Sequence, residues 1–283
     1  MSGEPTPAHL LGSWSADPVL IALLLSAAAL YLHAARRRAR AWPVRRSAAF
    51  LAGLLALAVA LMSGIDSYAE RLLSVHMVQH LLLMLAAPVL LLAGAPVRLA
   101  LASAPARPRR ALVALLRGRP GQTLARPAVT FVPFAAVVCL THLTGSFELT
   151  LEQPVLHQLE HAAYFWTALA FLAPLMAVDP LPHPPGAVAR FSWALAAMTA
   201  MALPGALLAF SRSVRYPHYI ATARALGRSA LEDQQLAGAI MWVGGGLALF
   251  ALAVWMTLSA MAREERRQQR RELHAGDAQA AGR

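Results

Sequence analysis

The residues best equipped for chemistry in this chain are histidines in pairs. His76 and His80 stand four apart in Ser74-Val75-His76-Met77-Val78-Gln79-His80-Leu81-Leu82-Leu83-Met84, and the device recurs in His157-Gln158-Leu159-Glu160-His161. Each pair sits at the head of an apolar stretch. On an α-helix a spacing of four offsets side chains by roughly 40°, so His76, His80 and Met84 share one face. Polar groups facing lipid are costly, and two such pairs need a reason. The expectation is that they meet.

Neutral imidazole is a good ligand for copper, zinc, nickel and iron. His142, near the end of another apolar stretch, adds a fifth ring. Glu160 lies three residues after His157, shares its face, and can orient the rings through hydrogen bonds. Softer atoms are close in sequence: Met77 beside His76, Met84 one turn beyond His80, and Cys139 three residues before His142. Imidazole mixed with thioether tilts the choice toward copper, because soft ligands select Cu(I). Met is also a common apolar filler, and for any single Met core packing is the better reading. The candidate metal ligands are thus His76, His80, His142, His157 and His161. Glu160, Asp233, Met77, Met84 and His218 are candidates to support them or to guard the way in. His218, within Arg215-Tyr216-Pro217-His218-Tyr219, could close over the site, or be an exposed loop histidine without a role. His9, His33, His183 and His274 fall outside the cluster. There is no Ser-His-Asp arrangement, no phosphate loop and no H-E-x-x-H motif, so no catalytic turnover is expected.

The elements that must position these residues are membrane helices. Of 283 residues, 58% are hydrophobic and only 14% charged, with a mean hydropathy of +0.52; soluble proteins carry about 25% charged residues. The apolar residues come in blocks long enough to span a bilayer at about 20 residues each. Seven are predicted, at 18–34, 47–64, 75–95, 128–145, 155–178, 190–210 and 236–260, giving an all-α polytopic bundle over 1–262. A charged tail, 263–283, is expected to extend the last helix briefly and then to be disordered. Prolines 88, 133, 174 and 204 fall within spans and permit kinks, while Gly244, Gly245 and Gly246 allow close helix approach. The loop piece Ala111–Leu116 is either an interfacial helix or a solvated linker. The net charge of +11 comes from arginines in the gaps between blocks, the pattern of loop charges that set orientation rather than of a nucleic-acid surface. The lone Cys139 excludes an intrachain disulfide, and residues 1–17 lack the basic start of a signal peptide.

With the amino terminus outside, the arginines divide 20 to 5 between cytoplasmic and outer segments, which favours a cytoplasmic carboxyl terminus. In that frame His76, His80, His142, His157 and His161 all fall in the outer layer of the membrane, as does the Glu232-Asp233-Gln234-Gln235 boundary of the last span. The convergence of three helices on one layer is more specific than any single residue.

Several of these blocks resemble one known family. His76-Met77-Val78-Gln79-His80 through Ala87-Pro88 and Gly94-Ala95-Pro96 is similar to the membrane-integral CtaG family of cytochrome c oxidase assembly factors, the multi-span type. The resemblance continues through His142, Pro154 to His161, and Asp233 to Trp242, covering roughly residues 70–260. It implies a multi-pass protein of the bacterial cell (inner) membrane that supplies copper to the oxidase subunit carrying the buried copper centre, with homo-oligomers possible in principle. The rivals from the residues themselves are a copper transporter and a heme b protein with two histidine axial ligands.

Overall fold

The structure is a computed structural model and describes residues 6–38, 41–181 and 184–281; His183 lies outside them. Every regular element among the described residues is helical. A short α1 (Pro7–Gly12) precedes α2 (Pro18–Arg36) and α3 (Val44–Met62), and α4 (Gly64–Ala69) leads into α5 (Leu73–Leu81). A π-turn at 82–86 joins α5 to α6 (Ala87–Ala93), followed by α7 (Pro96–Ser103), α8 (Ala106–Arg117) and α9 (Arg119–Leu124). Then come α10 (Pro127–Leu143), α11 (Ser146–Glu152), α12 (Pro154–Met176) and α13 (Ala187–Ala209). The chain finishes with α14 (His218–Ala225), α15 (Ala230–Ala239), a second π-turn at 240–244, and α16 (Gly245–Ala281).

Five stretches are long and apolar enough to cross a membrane: 18–36, 44–62, 73–103, 187–209 and 230–262. Helices α10 and α11 pass together as a sixth, bent by 81° between them. The protein is therefore a multi-pass membrane protein. The stretch not among these is α12. It is 23 residues long, but its first turns carry His157, Glu160 and His161, which dilute its apolar character. Its inner face is nonetheless core: Tyr164, Ala168, Phe171, Leu172 and Leu175 are buried against Phe134 and Val138 of α10 and Met201 of α13.

Both long spans that begin at the histidine end contain a π-turn, each just beyond its polar residues. In the first, Pro88 lacks the N–H that would continue the regular ladder. Extra-residue turns of this kind concentrate at functional sites. The glycines divide by role. A Cβ on Gly238 would sit 2.3 Å from the Ala209 nitrogen and 2.5 Å from the Gly205 oxygen, so the backbones of α13 and α15 touch there. On Gly245 it would meet Met201, whereas Gly246 faces open space. Helix α8 has no buried residue, which fits a helix lying along the surface. Helix α16 runs on through the charged tail to Ala281, where the sequence suggested a brief extension and then disorder. Strong helix formers fill that stretch, with Gln268 donating to Glu272 one turn on at 3.2 Å.

The two ends of the bundle differ. At one end Tyr31 donates to the Gly94 carbonyl (2.7 Å) and Asp179 accepts from the Arg98 backbone N–H (2.7 Å), drawing the ends of α2, α6 and α12 together beside the arginine-rich segments. Burial pushes the Asp179 carboxyl above its usual range, against the two backbone N–H groups that it caps. The other end holds the histidines.

Candidate metal centre

The site is assembled where α5 and α12 begin and α10 ends. Two polar clamps fix the rotation of α5. Gln79 donates to the Ala60 carbonyl of α3 at 2.9 Å and to Asp66 of α4 at 2.8 Å. From the other side Asp233 of α15 accepts from the Ser74 backbone N–H at 3.2 Å and from the Ser74 hydroxyl. Helix α5 has no capping side chain of its own, so Asp233 caps it from a distant helix. With α5 held on both sides, His76 and His80 face α12.

All five predicted rings occupy one layer. His76, His80, His142 and His161 are buried and His157 is half-buried. Ring centroids are 4.2 Å apart for His76–His80 and for His157–His161, 5.3 Å for His76–His157 and 5.9 Å for His80–His161. The ligand atoms of His76, His80 and His161 lie within 4.8 Å of one another, and so do those of His76, His157 and Glu160. His142 is at the edge: its ring is 6.0 Å from His80 and stacks on Phe147 at 5.8 Å.

Hydrogen bonds select the tautomers. Tyr219 donates its hydroxyl to the Ala69 carbonyl at 3.0 Å, which leaves the same oxygen to accept from His76 Nδ1 at 3.2 Å. His76 thus carries its proton on Nδ1, and its Nε2 lone pair points into the site, 2.7 Å from His80 Nε2. His142 Nδ1 donates to the Val138 carbonyl at 3.0 Å, which leaves Nε2 as the bare nitrogen. An outer partner holding one ring nitrogen so that the other can ligate is the usual arrangement around metal-binding histidines.

Several buried polar atoms of the layer are short of partners. His80 Nδ1, His142 Nε2, His161 Nε2 and both Glu160 carboxylate oxygens are buried without a hydrogen bond. The nitrogen facing Glu160 is His157 Nδ1, at 3.8 Å from Oε2, beyond hydrogen-bond distance. Orphaned buried polar groups are costly. Three imidazoles with converging nitrogens and a carboxylate alongside fit a borderline metal ion.

The remaining predicted residues are distributed differently. Met77 and Met84 are buried in the main apolar core. Cys139 turns toward the Ala200 carbonyl of α13, at 3.9 Å from its sulfur, away from the histidines. Asp233 is engaged in capping α5. His218 lies over the mouth, its backbone N–H on Glu148 (2.9 Å) and its ring on the Glu70 carbonyl (3.0 Å). Sequence reasoning missed Tyr219, Phe147, Tyr164 and Gln79. Phe147, brought in by the bend between α10 and α11, packs against His76, His80 and His142 and is fully buried. Gln79 was the legible one, a polar residue between the paired histidines.

The layer is open on one side. A groove of about 1520 Å³ runs along the bundle between α2–α3 and α12, with Leu57, Leu83 and Trp166 among its walls. His157 and His161 line one end, beside His218, and Asp179 lines the other.

The family model described as cytochrome c oxidase caa3 assembly factor matches residues 29–263. The chain belongs to this family. Every ring of the layer falls inside the matched region, while α1, the start of α2 and most of the charged tail fall outside it. The chain is 32% identical over 283 residues to the uncharacterized protein Mb0105 of Mycobacterium bovis, covering 94% of this chain and 41% of that protein. The same figures hold for the uncharacterized protein MT0111 of Mycobacterium tuberculosis. With ML1998 of Mycobacterium leprae it shares 27% identity over 248 residues, covering 85% of this chain and 38% of that protein. The chain thus spans about two fifths of the length of these relatives. No solved structure matches it.

Proposed function

We propose that this protein is a copper-binding, non-catalytic assembly factor for cytochrome c oxidase in the bacterial inner membrane. In this reading it holds copper in the histidine layer for the oxidase subunit that carries the buried copper centre. The observation that carries it is the converging set His76, His80 and His161, whose ligand atoms lie within 4.8 Å of one another at buried helix ends. Family membership supplies the oxidase. The residues favour a metal: His76 has its proton held on Nδ1, and His80 and His161 each carry a buried nitrogen that lacks a partner.

The reading includes seven spans, with α12 as the seventh. Its 23 residues would rise about 35 Å, enough for a hydrocarbon core of roughly 30 Å. With the amino terminus outside, the histidine layer lies near the outer surface, and the arginine-rich end faces the cytoplasm. The groove beside His157 and His161 would let copper pass sideways to a partner's spans without release into water.

Two rivals fare less well. A transporter needs a polar path to the far end, but the core beyond the layer is Leu85, Phe134, Phe171 and Leu172. A heme needs a slot between opposing rings, and here Phe147 packs 5.0 Å from His76 and Tyr164 4.3 Å from His80. The test is metal analysis of purified protein with an optical spectrum. Copper near one per chain, retained far less well on His80→Ala or His161→Ala but kept on His33→Ala, is the expected result. A Soret band, or copper content unchanged across all three variants, would overturn the reading. In cells lacking the protein, oxidase should retain heme and polypeptides but lack its buried copper, with partial rescue by excess copper.

A further inference from the structure

The geometry points to two alternative copper stations that share His76: a rim station of His157, Glu160 and His76, where the ion enters, and a buried station of His76, His80 and His161, where it is held. This rests on the copper reading above and adds a route to it. Both triads bring their ligand atoms within 4.8 Å of one another, and His76 is common to the two. Its Nδ1 is engaged by Tyr219, so Nε2 is the nitrogen left for a metal, and one nitrogen serves one ion at a time. The stations are therefore exclusive, and the protein carries one copper rather than two.

Their order follows from exposure and chemistry. The His157 side chain is 18% exposed, and that of Glu160 2%. His157 also lines the open groove beside His218. His76 and His80 are sealed beneath Phe147 and Tyr219. The rim station offers two imidazoles and a carboxylate, a mixed set that accepts an arriving ion readily. The buried station offers three imidazoles, which discriminate against oxygen-preferring cations such as calcium and magnesium. Glu160 has the second mark of a ligand: buried carboxylate oxygens with no hydrogen bond.

The transfer between stations is a ligand exchange. The metal bonds to His157 and Glu160 break while those to His80 and His161 form, and the His76 bond persists. No electron moves. His80 keeps its single ring proton, which moves from Nε2, where it bridges to His76, to the unpartnered Nδ1, so the ring stays neutral as Nε2 binds the metal and Glu160 is released as a carboxylate. Holding one ligand throughout means that the ion is never free.

The test measures equilibrium content and loading rate separately, in purified full-length protein in detergent supplied with Cu(I) from a weak chelator. Wild type should take one copper per chain. His157→Ala and Glu160→Gln should reach the same content at saturation but load about tenfold or more slowly, in line with the effect of ligand-supporting residues. His80→Ala should load at the wild-type initial rate but hold the metal at least about tenfold more weakly. X-ray absorption of that variant should show mixed nitrogen and oxygen ligation. Wild-type loading rates in both His157→Ala and Glu160→Gln would overturn the two-station route, as would two coppers bound at once to wild type. So would a loss of saturating content in Glu160→Gln as large as in His80→Ala, which would mean a single site. Any of these leaves the copper reading standing, whereas wild type that binds no copper refutes that reading itself. Circular dichroism and size exclusion confirm folding, and half-buried His157 provides a variant whose removal spares the core.

Discussion

Asp233 is the residue whose role the fold changes most, and Asp233→Ala tests that role. The carboxylate is 3% exposed and accepts from two donors of Ser74, the backbone N–H and the hydroxyl. Truncation to Ala leaves both without an acceptor in a buried setting. Each unsatisfied buried donor costs about 1–3 kcal/mol, and loss of a helix cap typically costs about 1 kcal/mol. The hydroxyl can turn to a carbonyl of the preceding turn, so the sum for Asp233→Ala is about 2–4 kcal/mol. Asp233→Asn keeps one acceptor oxygen and should cost about half as much. Thermal unfolding in detergent would read this as a lower midpoint in the order wild type, Asn, Ala. The same variants should weaken copper binding by about 10- to 100-fold, the usual effect of disturbing a residue that orients a ligand, because Ser74 begins the helix that aims His76 and His80. X-ray absorption of the bound copper should stay unchanged, since Asp233 contacts no ligand atom of the site. If Asp233→Ala melts with wild type, the cap is not what holds α5. If the absorption spectrum loses an oxygen ligand, Asp233 is itself a ligand and the assignment is wrong.

Three further outcomes follow from the same structure. A reporter fused after Arg283 should read cytoplasmic and one inserted at Gly227 should read outside, as the arginine distribution requires; a cytoplasmic signal at Gly227 would separate the histidine layer from the outer surface. Gly238→Ala should destabilise by about 1–3 kcal/mol, because the new methyl meets the backbone of α13 at Ala209 and Gly205, whereas Gly246→Ala, facing open space, should be neutral; equal melting of the two variants would refute the contact. Burial raises the Asp66 carboxyl to about 6, against the Gln79 hydrogen bond that favours its charged form. A carboxyl with a raised folded pKa costs stability above that pKa and recovers it as the pH falls. Asp66→Asn should therefore gain most over wild type near pH 7.5, with the gain fading below about pH 6; a gap that does not change with pH would exclude the effect.

The histidine layer was legible because spacing and apolar context constrain it together. An i,i+4 pair fixes a face, and an apolar stretch fixes depth, so His76, His80, His157 and His161 could be placed in one layer before any coordinates. Glu160 followed from the same helix. What spacing cannot give is the partner across a tertiary contact. Asp233 and Ser74 are 159 residues apart, Tyr219 and His76 143, and no local pattern links them. Asp233 was readable as a residue that supports the rings or guards the way in, but spacing could not say how: its oxygens accept from Ser74 at the start of the helix that carries His76 and His80. Cys139 shows the same limit from the other side. Its distance from His142 in sequence is short, but three residues along a helix is not the same as sharing the ring's environment, and its sulfur turns to α13. The bend between α10 and α11 was also invisible, since Thr144-Gly145-Ser146 carries only a generic turn signal. It is this bend that brings Phe147 over the rings.

The same bend explains how so much unpaired polarity persists in an apolar bundle. A buried imidazole without a partner favours any rearrangement that lets it reach water or a carbonyl. Two features oppose such a rearrangement here. Gln79 and Asp233 hold α5 through four hydrogen bonds, and Phe147, Tyr164 and Tyr219 pack around the rings. A stability selected for its own sake would remove the orphaned atoms, since apolar residues of equal size would pack without the penalty. Retaining them, with the outer nitrogens of His76 and His142 tied and the Nε2 atoms of His142 and His161 left bare, favours an arrangement that a ligand completes. On the proposed function, that ligand is copper, and the open side of the layer along α12 is the direction in which it leaves.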